Sequence, residues 1–331
     1  MSRAGLVFFF ALAVALAAAQ GRSATHGLID GDEARFSPAP LPRPGDVEPA
    51  EEKKPKPGEE LVLTCPAKVF EGEPFLVRVS CKKPLREAMI YWLGKEVAPS
   101  IRIAKARHVA VALLGTDVLT IRPGKRELVV VASVEGRRRT LIREIFVAGQ
   151  HFPEQALSVP KVMAAPPSKV LARIESERKA VRQVLEAMTP HRFWSLPLAR
   201  PVEGEITTRY GTRRLLNGQP KAQHRGVDFQ ADEGAQVVAA ADGLVVYLAD
   251  HYFTGRSVYL DHGNGVVSMY FHLSTQLVGT GQAVRRGDPV GLAGASGRST
   301  GPHLHFGLAV QGFLVDPEPL FRDNPNFSVT E

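Results

Sequence analysis

Apolar and polar residues alternate in short runs over two stretches of the chain, and this alternation predicts β-strands. In residues 61–152, runs such as PFLVRVSC and ELVVVASVE are separated by Gly, Pro and charged turn residues. About seven short strands over such a length favour an immunoglobulin-like β-sandwich. A second stretch begins near Trp194 and contains the runs VVAAADGLVVYLAD and SVYLDHGNGVVSMYFHL. The sequence therefore predicts a mainly β protein with an N-terminal β-sandwich module and a C-terminal antiparallel β-sheet domain over residues 194–322.

One segment between these stretches has helical periodicity. Apolar residues recur three or four positions apart over residues 168–189, Ser168 is placed to cap the helix, and Thr189-Pro190 ends the pattern. We expect this connecting helix to lie within a linker of residues 153–193. Its apolar stripe is expected to pack between the two domains. Residues 323–331 are expected to form a tail.

The first 60 residues have a different composition. Arg3 precedes the apolar run LVFFFALAVAL, and small residues follow before Gln20, which is the pattern of a signal peptide over residues 1–19. The run is shorter than the about 20 residues of a membrane span, so no stable membrane insertion is expected after cleavage. An uncleaved N-terminal anchor is the alternative. Residues 20–60, rich in Pro, Glu and Lys, predict a disordered linker, and the mature protein is expected to be exported.

Export changes the interpretation of the two cysteines. Cys65 and Cys81 lie in the same small β-rich stretch. An oxidising compartment favours a disulfide between them, and two free buried thiols are the alternative. Their spacing fits no zinc motif.

Positive charge is concentrated in the β-sandwich module. The chain has a formal net charge of +7, and residues 101–150 contain ten basic and four acidic residues. Such a surface attracts nucleic acid, anionic lipid or an acidic cell-wall polymer, or is simply a solvated strand face. No aromatic-interleaved nucleic-acid motif accompanies the charge, so we predict no nucleic-acid partner. A cell-wall or envelope protein bound through the basic module is the partner hypothesis.

Four histidines and an aspartate form the candidate chemistry of the second β-rich stretch. His224 and Asp228 are four residues apart, and His303 and His305 are two apart, so each pair shares a face of a strand. His272 ends an apolar strand. Imidazole with a single carboxylate is a common ligand set for zinc, and three protein ligands leave zinc a position for water. Each motif alone is weak, but their conjunction in one glycine-punctuated domain of an exported protein is a much stronger indication of a metal site.

These motifs and the segments around them resemble the catalytic domain of the lysostaphin-type peptidoglycan endopeptidases. The resemblance covers residues 194–321 and is carried, in chain order, by ITTRYGTR, HRGVDF, AAADGLVVY, LDHGNGVVSMYFHLS, GQAVRRGDPVGLAGASGRSTGPHLHF and VDP. The β-module before this domain is similar to the N-terminal modules of some exported members.

The resemblance implies one Zn²⁺ per chain, with His224, Asp228 and His305 as ligands. It implies that His272 and His303 are catalytic and assist a zinc-held water in hydrolysing peptide cross-links of peptidoglycan. The protein is then expected in the periplasm or outside the cell, associated with the wall. Some relatives have lost their ligands and activate cell-wall amidases, so a catalytically silent wall-binding activator is the alternative. All five residues are intact here, which favours the endopeptidase.

The cross-link that would be cleaved stays open at this point. A bond from D-Ala to a diamino acid and a bond within a glycine bridge are both compatible with the motifs.

Overall fold

The structure is a computed structural model and describes residues 61–157, 166–216, 218–220 and 223–327. The predicted signal peptide of residues 1–19 and the predicted linker of residues 20–60 lie outside the described residues. So does the end of the predicted tail.

The N-terminal module is a sandwich of two sheets, as the alternating pattern predicts. Its nine strands are β1 (Val62–Thr64), β2 (Lys68–Phe70), β3 (Pro74–Cys81), β4 (Leu85–Trp92), β5 (Lys95–Val97), β6 (Ile101–Ala104), β7 (Arg107–Gly115), β8 (Gly124–Val134) and β9 (Arg137–Ala148). The sheet orders are β1-β3-β7-β6 and β2-β9-β8-β4-β5. The order β1-β3-β7-β6 is that of strands A, B, E and D in an immunoglobulin-like sandwich, and β9-β8-β4 is that of strands G, F and C, with β2 and β5 as additional edge strands. Between the sheets, the rings of Phe75 and Trp92 pack edge to face with centroids 5.2 Å apart.

The predicted disulfide is wrong, because Cys65 and Cys81 are both free thiols. Cys65 follows β1, Cys81 ends β3, and the two strands run antiparallel with Thr64 opposite Arg78. The chain therefore carries Cys65 away from Cys81, which leaves about four residue steps, or roughly 13 Å, between them along the ladder. A disulfide needs Cα atoms within about 7 Å. Burial raises the pKa of the Cys65 thiol, which keeps it protonated.

The connecting helix α1 (Leu171–Glu186) is shorter than the predicted 168–189, and a 3₁₀ turn (Ser168–Val170) precedes it. It ends early because Thr189 is held by a turn of the C-terminal domain, where its hydroxyl hydrogen-bonds to the Asp261 carboxylate. None of the helices in the described part of the chain is long and apolar enough to cross a bilayer.

The apolar stripe of α1 packs on the C-terminal sheet rather than between the two domains. Val181, Val184 and Leu185 belong to a cluster with Tyr259 and Met269 of that sheet. The prediction of an inter-domain helix was wrong because the stripe packs on an apolar outer face of the sheet. The sequence pattern does not distinguish this outer face from the inner face of the same sheet.

The C-terminal domain is built on antiparallel sheets, as predicted. Its strands, with β10 from the connecting segment, are β10 (Glu154–Leu157), β11 (Ile206–Thr208), β12 (Arg213–Leu216), β13 (Gln219–Pro220), β14 (Val227–Gln230), β15 (Gln236–Val238), β16 (Gly243–His251), β17 (Gly255–Asp261), β18 (Val266–Leu273), β19 (Thr275–Gln276), β20 (Ala283–Val284), β21 (Pro289–Leu292), β22 (His303–Val310) and β23 (Phe313–Val315). The main sheet has the order β11-β14-β22-β18-β17-β16-β20, with β23 beside β22. Smaller sheets have the orders β15-β21-β19 and β10-β12-β13, and short 3₁₀ turns follow at Glu318–Leu320 and Pro325–Phe327.

The turn between β17 and β18 has the predicted backbone. Asn264 and Gly265 have φ values of +52° and +73°, which an Asn-Gly turn tolerates. Beside them, His262 is fully buried. Its Nδ1 donates to the Asp242 carbonyl over 2.7 Å and its Nε2 lies 2.7 Å from the Ser268 hydroxyl, so this histidine is structural.

The sandwich module and the C-terminal domain share one core within a single compact unit. Val111 and Leu113 of β7 lie in the same buried cluster as Val310 and Val315. The approach is close: a Cβ built on Gly115 would lie 2.4 Å from the Val315 Cγ1 atom, so a side chain larger than glycine's would push the two regions apart.

Candidate active site

Three side chains that can bind a metal converge where β14 and β22 pair. Asp228 on β14 lies directly opposite His305 on β22, and His224 comes from the loop before β14. The Asp228 Oδ1 atom lies 2.8 Å from His305 Nδ1 and 2.9 Å from His224 Nε2. The two imidazole nitrogens are 2.9 Å apart. The antiparallel register thus gathers residues 81 positions apart in the chain into one ligand set.

Two further contacts orient this ligand set. The Nδ1–H of His224 donates to the Arg209 carbonyl over 3.1 Å, which leaves Nε2 to face the other ligands. Arg214 Nη2 donates to Asp228 Oδ2 over 2.5 Å, which leaves Oδ1 to face the histidines.

The His305 ring lies between Gly226 and Phe271. A Cβ on Gly226 would lie 2.6 Å from His305 Nε2, so glycine at this position leaves the space that the ring occupies. On the other side, the Phe271 and His305 rings stack with centroids 5.2 Å apart and planes 4° apart.

His272 and His303 lie beside the ligand set. Their ring centroids are 4.7 Å apart. His303 Nε2 is 4.0 Å from Asp228 Oδ1, and the His272 and His305 rings are 6.3 Å apart. The structure therefore brings all five predicted residues into one cleft.

The loop of residues 294–301, between β21 and β22, holds both of these histidines in the same way. His272 Nδ1 donates to the Ser296 carbonyl over 2.8 Å, and His303 Nδ1 donates to the Gly301 carbonyl over 2.9 Å. Because a carbonyl oxygen can only accept, Nδ1 carries the proton in both rings and Nε2 keeps its lone pair.

His272 has a strained backbone. Its φ is +60°, the left-handed region that side chains other than glycine's rarely adopt and that costs about 1–3 kcal/mol. The His272 N–H donates to the Thr254 carbonyl over 2.9 Å, which helps to hold the conformation. Such strain clusters at functional sites.

Burial and hydrogen bonding set the protonation of the site. Burial opposes ionisation of Asp228, but the hydrogen bonds and charges of His224 and His305 outweigh it and hold the pKa of Asp228 well below its usual range. Burial lowers the pKa of His305 to about 4 and that of His272 to about 3. At neutral pH Asp228 is therefore a carboxylate and the imidazoles of His305 and His272 are neutral, the forms that bind metals and accept protons.

The donor set fits a zinc ion. Two imidazole nitrogens and one carboxylate oxygen, all within 4.8 Å of one another, match the three protein ligands of a catalytic zinc site. His224 and Asp228 are buried and His305 is partly exposed, so the set is open towards the cleft.

Comparison with known proteins agrees with this geometry. Residues 222–317 match peptidase family M23. The C-terminal region of this chain is an M23 domain. The peptidoglycan DD-endopeptidase ShyC of Vibrio cholerae is 40% identical over 114 residues, which is 34% of this chain and 26% of that protein. The murein hydrolase activator EnvC of Escherichia coli is 30% identical over 208 residues, which is 60% of this chain and 47% of that protein.

A peptidase M23 crystal structure from Pseudomonas aeruginosa superposes with a TM-score of 0.57 at 25% identity, covering 74% of this chain and 92% of that one. The likeness in fold thus extends beyond the M23 domain into the rest of the chain. The chain nevertheless spans only about a quarter of the length of the endopeptidase relatives that it matches.

Sequence reasoning missed Arg214, a residue of the site. Arg214, whose side chain is 29% exposed, contacts the candidate ligand Asp228. The Arg213-Arg214 pair, ten residues before His224, could have indicated a basic residue at the site. Only the structure of β12 shows that Arg214 is the one that contacts Asp228. Tyr210, in the segment ITTRYGTR, is buried and packs, and its hydroxyl donates to the Leu314 carbonyl over 2.7 Å.

Proposed function

We propose that this protein is a zinc-dependent endopeptidase that hydrolyses peptide cross-links of peptidoglycan. The observation that carries the proposal is the convergence of His224, Asp228 and His305, with His272 and His303 beside them. Family M23 membership of the domain and the similarity to a peptidoglycan DD-endopeptidase support the substrate class.

In this proposal His224, Asp228 and His305 hold the metal, and His272 and His303 move protons. Bound zinc supplies a Lewis acid that makes water nucleophilic near neutral pH. Each of these histidines offers an Nε2 lone pair because its Nδ1–H is committed to a carbonyl of the 294–301 loop. Nε2 of one histidine accepts the proton of the attacking water and afterwards delivers it to the leaving amine. While it carries this proton, the same Nε2 atom can donate to the developing oxyanion, and the Nε2 lone pair of the other histidine can accept a hydrogen bond from the attacking water and orient it.

A catalytically silent wall-binding activator is the second candidate function. The similarity to the activator EnvC over 60% of this chain favours it. The intact ligand set and the two oriented histidines weigh against it, because an activator needs neither. We accordingly rank the endopeptidase first.

The proposal places the mature protein outside the cytoplasm, in contact with the wall. The basic excess of the sandwich module supplies a candidate surface for a wall or envelope partner. It includes Arg137, Arg138 and Arg139 at the exposed start of β9, although Lys125 and Lys83 are partly neutralised by Glu144 and Glu135 over 2.9 Å.

Mass analysis of digested peptidoglycan tests the proposal. Purified protein with zinc should convert cross-linked dimers to monomers, and the masses identify the bond broken. Chelated protein and the Asp228→Ala variant should leave the dimers intact. Intact dimers with zinc-loaded wild-type protein, together with stimulation of a cell-wall amidase, would instead support the activator.

A further inference from the structure

We propose that Arg214 and Arg298 form a subsite in the cleft for a free carboxylate of the substrate, next to the scissile bond. This inference rests on the proposed function, because it names the substrate feature that the same site would recognise. Two arginines from different segments are involved, and neither is itself a member of the candidate ligand set.

Arg214 reaches the site from β12. One nitrogen, Nη2, donates to the outer oxygen of Asp228. A guanidinium has five N–H donors, and Asp228 is the hydrogen-bond partner of Arg214 among the described residues. The Nε atom is buried and has no partner in that part of the chain. Folded proteins rarely leave such a donor unsatisfied, so a ligand or an ordered water is expected beside this guanidinium.

Arg298 reaches the same cleft from the 294–301 loop. It lies between Ser296, whose carbonyl binds His272, and Ser299, whose hydroxyl lies 3.2 Å from His303 Nδ1. Its guanidinium carbon sits 4.3 Å from the centroid of the Phe253 ring, and its backbone N–H donates to the Phe253 carbonyl over 2.8 Å. These contacts give the side chain a defined position on the loop whose carbonyls bind both histidines.

The two guanidinium groups are close enough to repel each other. Burial lowers the pKa of Arg298, and the charge of Arg214 lowers it further. With a divalent metal bound, Asp228 is the single carboxylate of the ligand set, so metal, carboxylate and both arginines together carry a net charge of about +3. Like charges gathered in a cleft are stabilised by an anion, and a planar guanidinium fork matches a carboxylate.

A subsite for a carboxylate distinguishes the two kinds of cross-link that are both compatible with the sequence motifs. A diamino dicarboxylic acid that is cross-linked through its side-chain amine keeps a free carboxylate on the same carbon as that amine, next to the bond, whereas a lysine has no such group. A glycine bridge carries no charged group there. The arginine pair therefore favours the cross-link through a diamino dicarboxylic acid.

Matched peptides test the subsite. Two synthetic cross-linked peptides differ only in a carboxylate or a carboxamide on the residue that supplies the scissile amine. Their dissociation constants are measured by calorimetry on zinc-loaded His303→Ala protein, and kcat/KM is measured on the wild type. The carboxylate peptide should bind at least about tenfold more tightly, as expected for a charge-assisted hydrogen bond.

Arg298→Gln should bring that binding ratio close to one, because it removes one of the two charges of the subsite. Its zinc content should stay unchanged, because Arg298 is not in the ligand set. Arg285→Gln, on the exposed turn after β20, is the control and should keep the wild-type ratio. Equal affinity for both peptides, or an unchanged ratio in Arg298→Gln, would overturn the subsite. Selective binding without cleavage by the wild type would leave the subsite standing and overturn the endopeptidase. Cleavage of both peptides at equal rates would overturn the subsite and leave the endopeptidase standing.

Discussion

Each candidate ligand in the metal site is oriented by a second group that itself has a fixed position. His224 is held by the Arg209 carbonyl, and Asp228 by Arg214. Outer contacts of this kind typically change metal affinity 10- to 100-fold when they are removed. The geometry of the site thus depends on residues that carry no metal-binding chemistry of their own.

Replacement of Asp228 by Ala should remove most of the bound zinc. The change removes the charged ligand and leaves two imidazoles, which bind zinc far more weakly. Elemental analysis after dialysis measures the effect. Asp232→Ala, an exposed carboxylate four residues further on, is the control and should bind one zinc per chain. Full occupancy in Asp228→Ala would contradict the ligand assignment.

His272→Ala and His303→Ala should each keep zinc and slow cleavage at least about 100-fold, since loss of a general base or an oxyanion donor typically costs 10²–10⁴ in rate. Zinc content, melting temperature and cleavage rate are measured on the same preparations. A near-native rate in either zinc-loaded variant would exclude that residue from catalysis.

At the scale of residues, the sequence predicts those site residues whose partners are close to them along the chain. The five histidine and aspartate positions could be predicted because short spacings and flanking glycines mark them locally. Arg214 and Arg298 could not, because their proximity depends on how a hairpin and a loop approach each other. The disulfide prediction failed for a related reason, since strand direction, rather than strand existence, separates Cys65 from Cys81.

Among the elements, loops and turns do most of the positioning. The 294–301 loop fixes the tautomer of two histidines, and the β17–β18 turn fixes the end of α1 through Asp261 and Thr189. The pattern of apolar residues predicted the helix but not its end, because a tertiary hydrogen bond stops it. The existence of the strands, by contrast, followed from the alternation.

The β17–β18 turn should make stability depend on pH. Burial lowers the pKa of His262, so the folded state binds fewer protons than the unfolded state once the pH falls below about 6.5, the unfolded value. The stability that neutral His262 contributes is complete above that pH and is lost as the pH falls towards the folded pKa. Denaturant unfolding of metal-free protein from pH 7.5 to 5 should therefore give a falling free energy of unfolding. Burial lowers the pKa of His251 in the same direction.

His262→Gln should reduce the slope without abolishing it, because His251, His272 and His305 titrate in the same direction, even if the change lowers stability at every pH. His191→Gln, which replaces an exposed histidine, should keep the wild-type slope. An unchanged slope in His262→Gln would show that this buried histidine does not titrate as argued.

At the scale of the whole molecule, the sandwich module supports the segment that precedes the M23 ligands. Asp117 of the module is 3% exposed, and its carboxylate accepts the backbone N–H groups of Leu119 over 2.7 Å and Leu314 over 3.2 Å. Arg225, which directly follows His224, lies 3.5 Å from the same carboxylate. The module is therefore part of the structure that holds the site, which the separate β-rich stretches of the sequence do not reveal.

Asp117→Ala should lower both stability and zinc affinity. Loss of the acceptor leaves buried N–H groups unsatisfied, at a cost of about 1–3 kcal/mol, and releases Arg225 next to a ligand. Denaturant unfolding and competitive zinc titration measure the two effects. Glu87→Ala, on the exposed side of the same module, should change neither. Wild-type zinc affinity in Asp117→Ala would show that the module does not support the metal site.

Turnover is the measurement that tests the central claim most directly. A purified cross-linked peptide dimer is incubated with zinc-loaded protein at a large molar excess of dimer, and released monomer is counted per protein chain. We predict many monomers per chain with the wild type, and about a hundredfold fewer over the same time with His303→Ala that retains its zinc. Less than one monomer per chain from the zinc-loaded wild type would contradict the account.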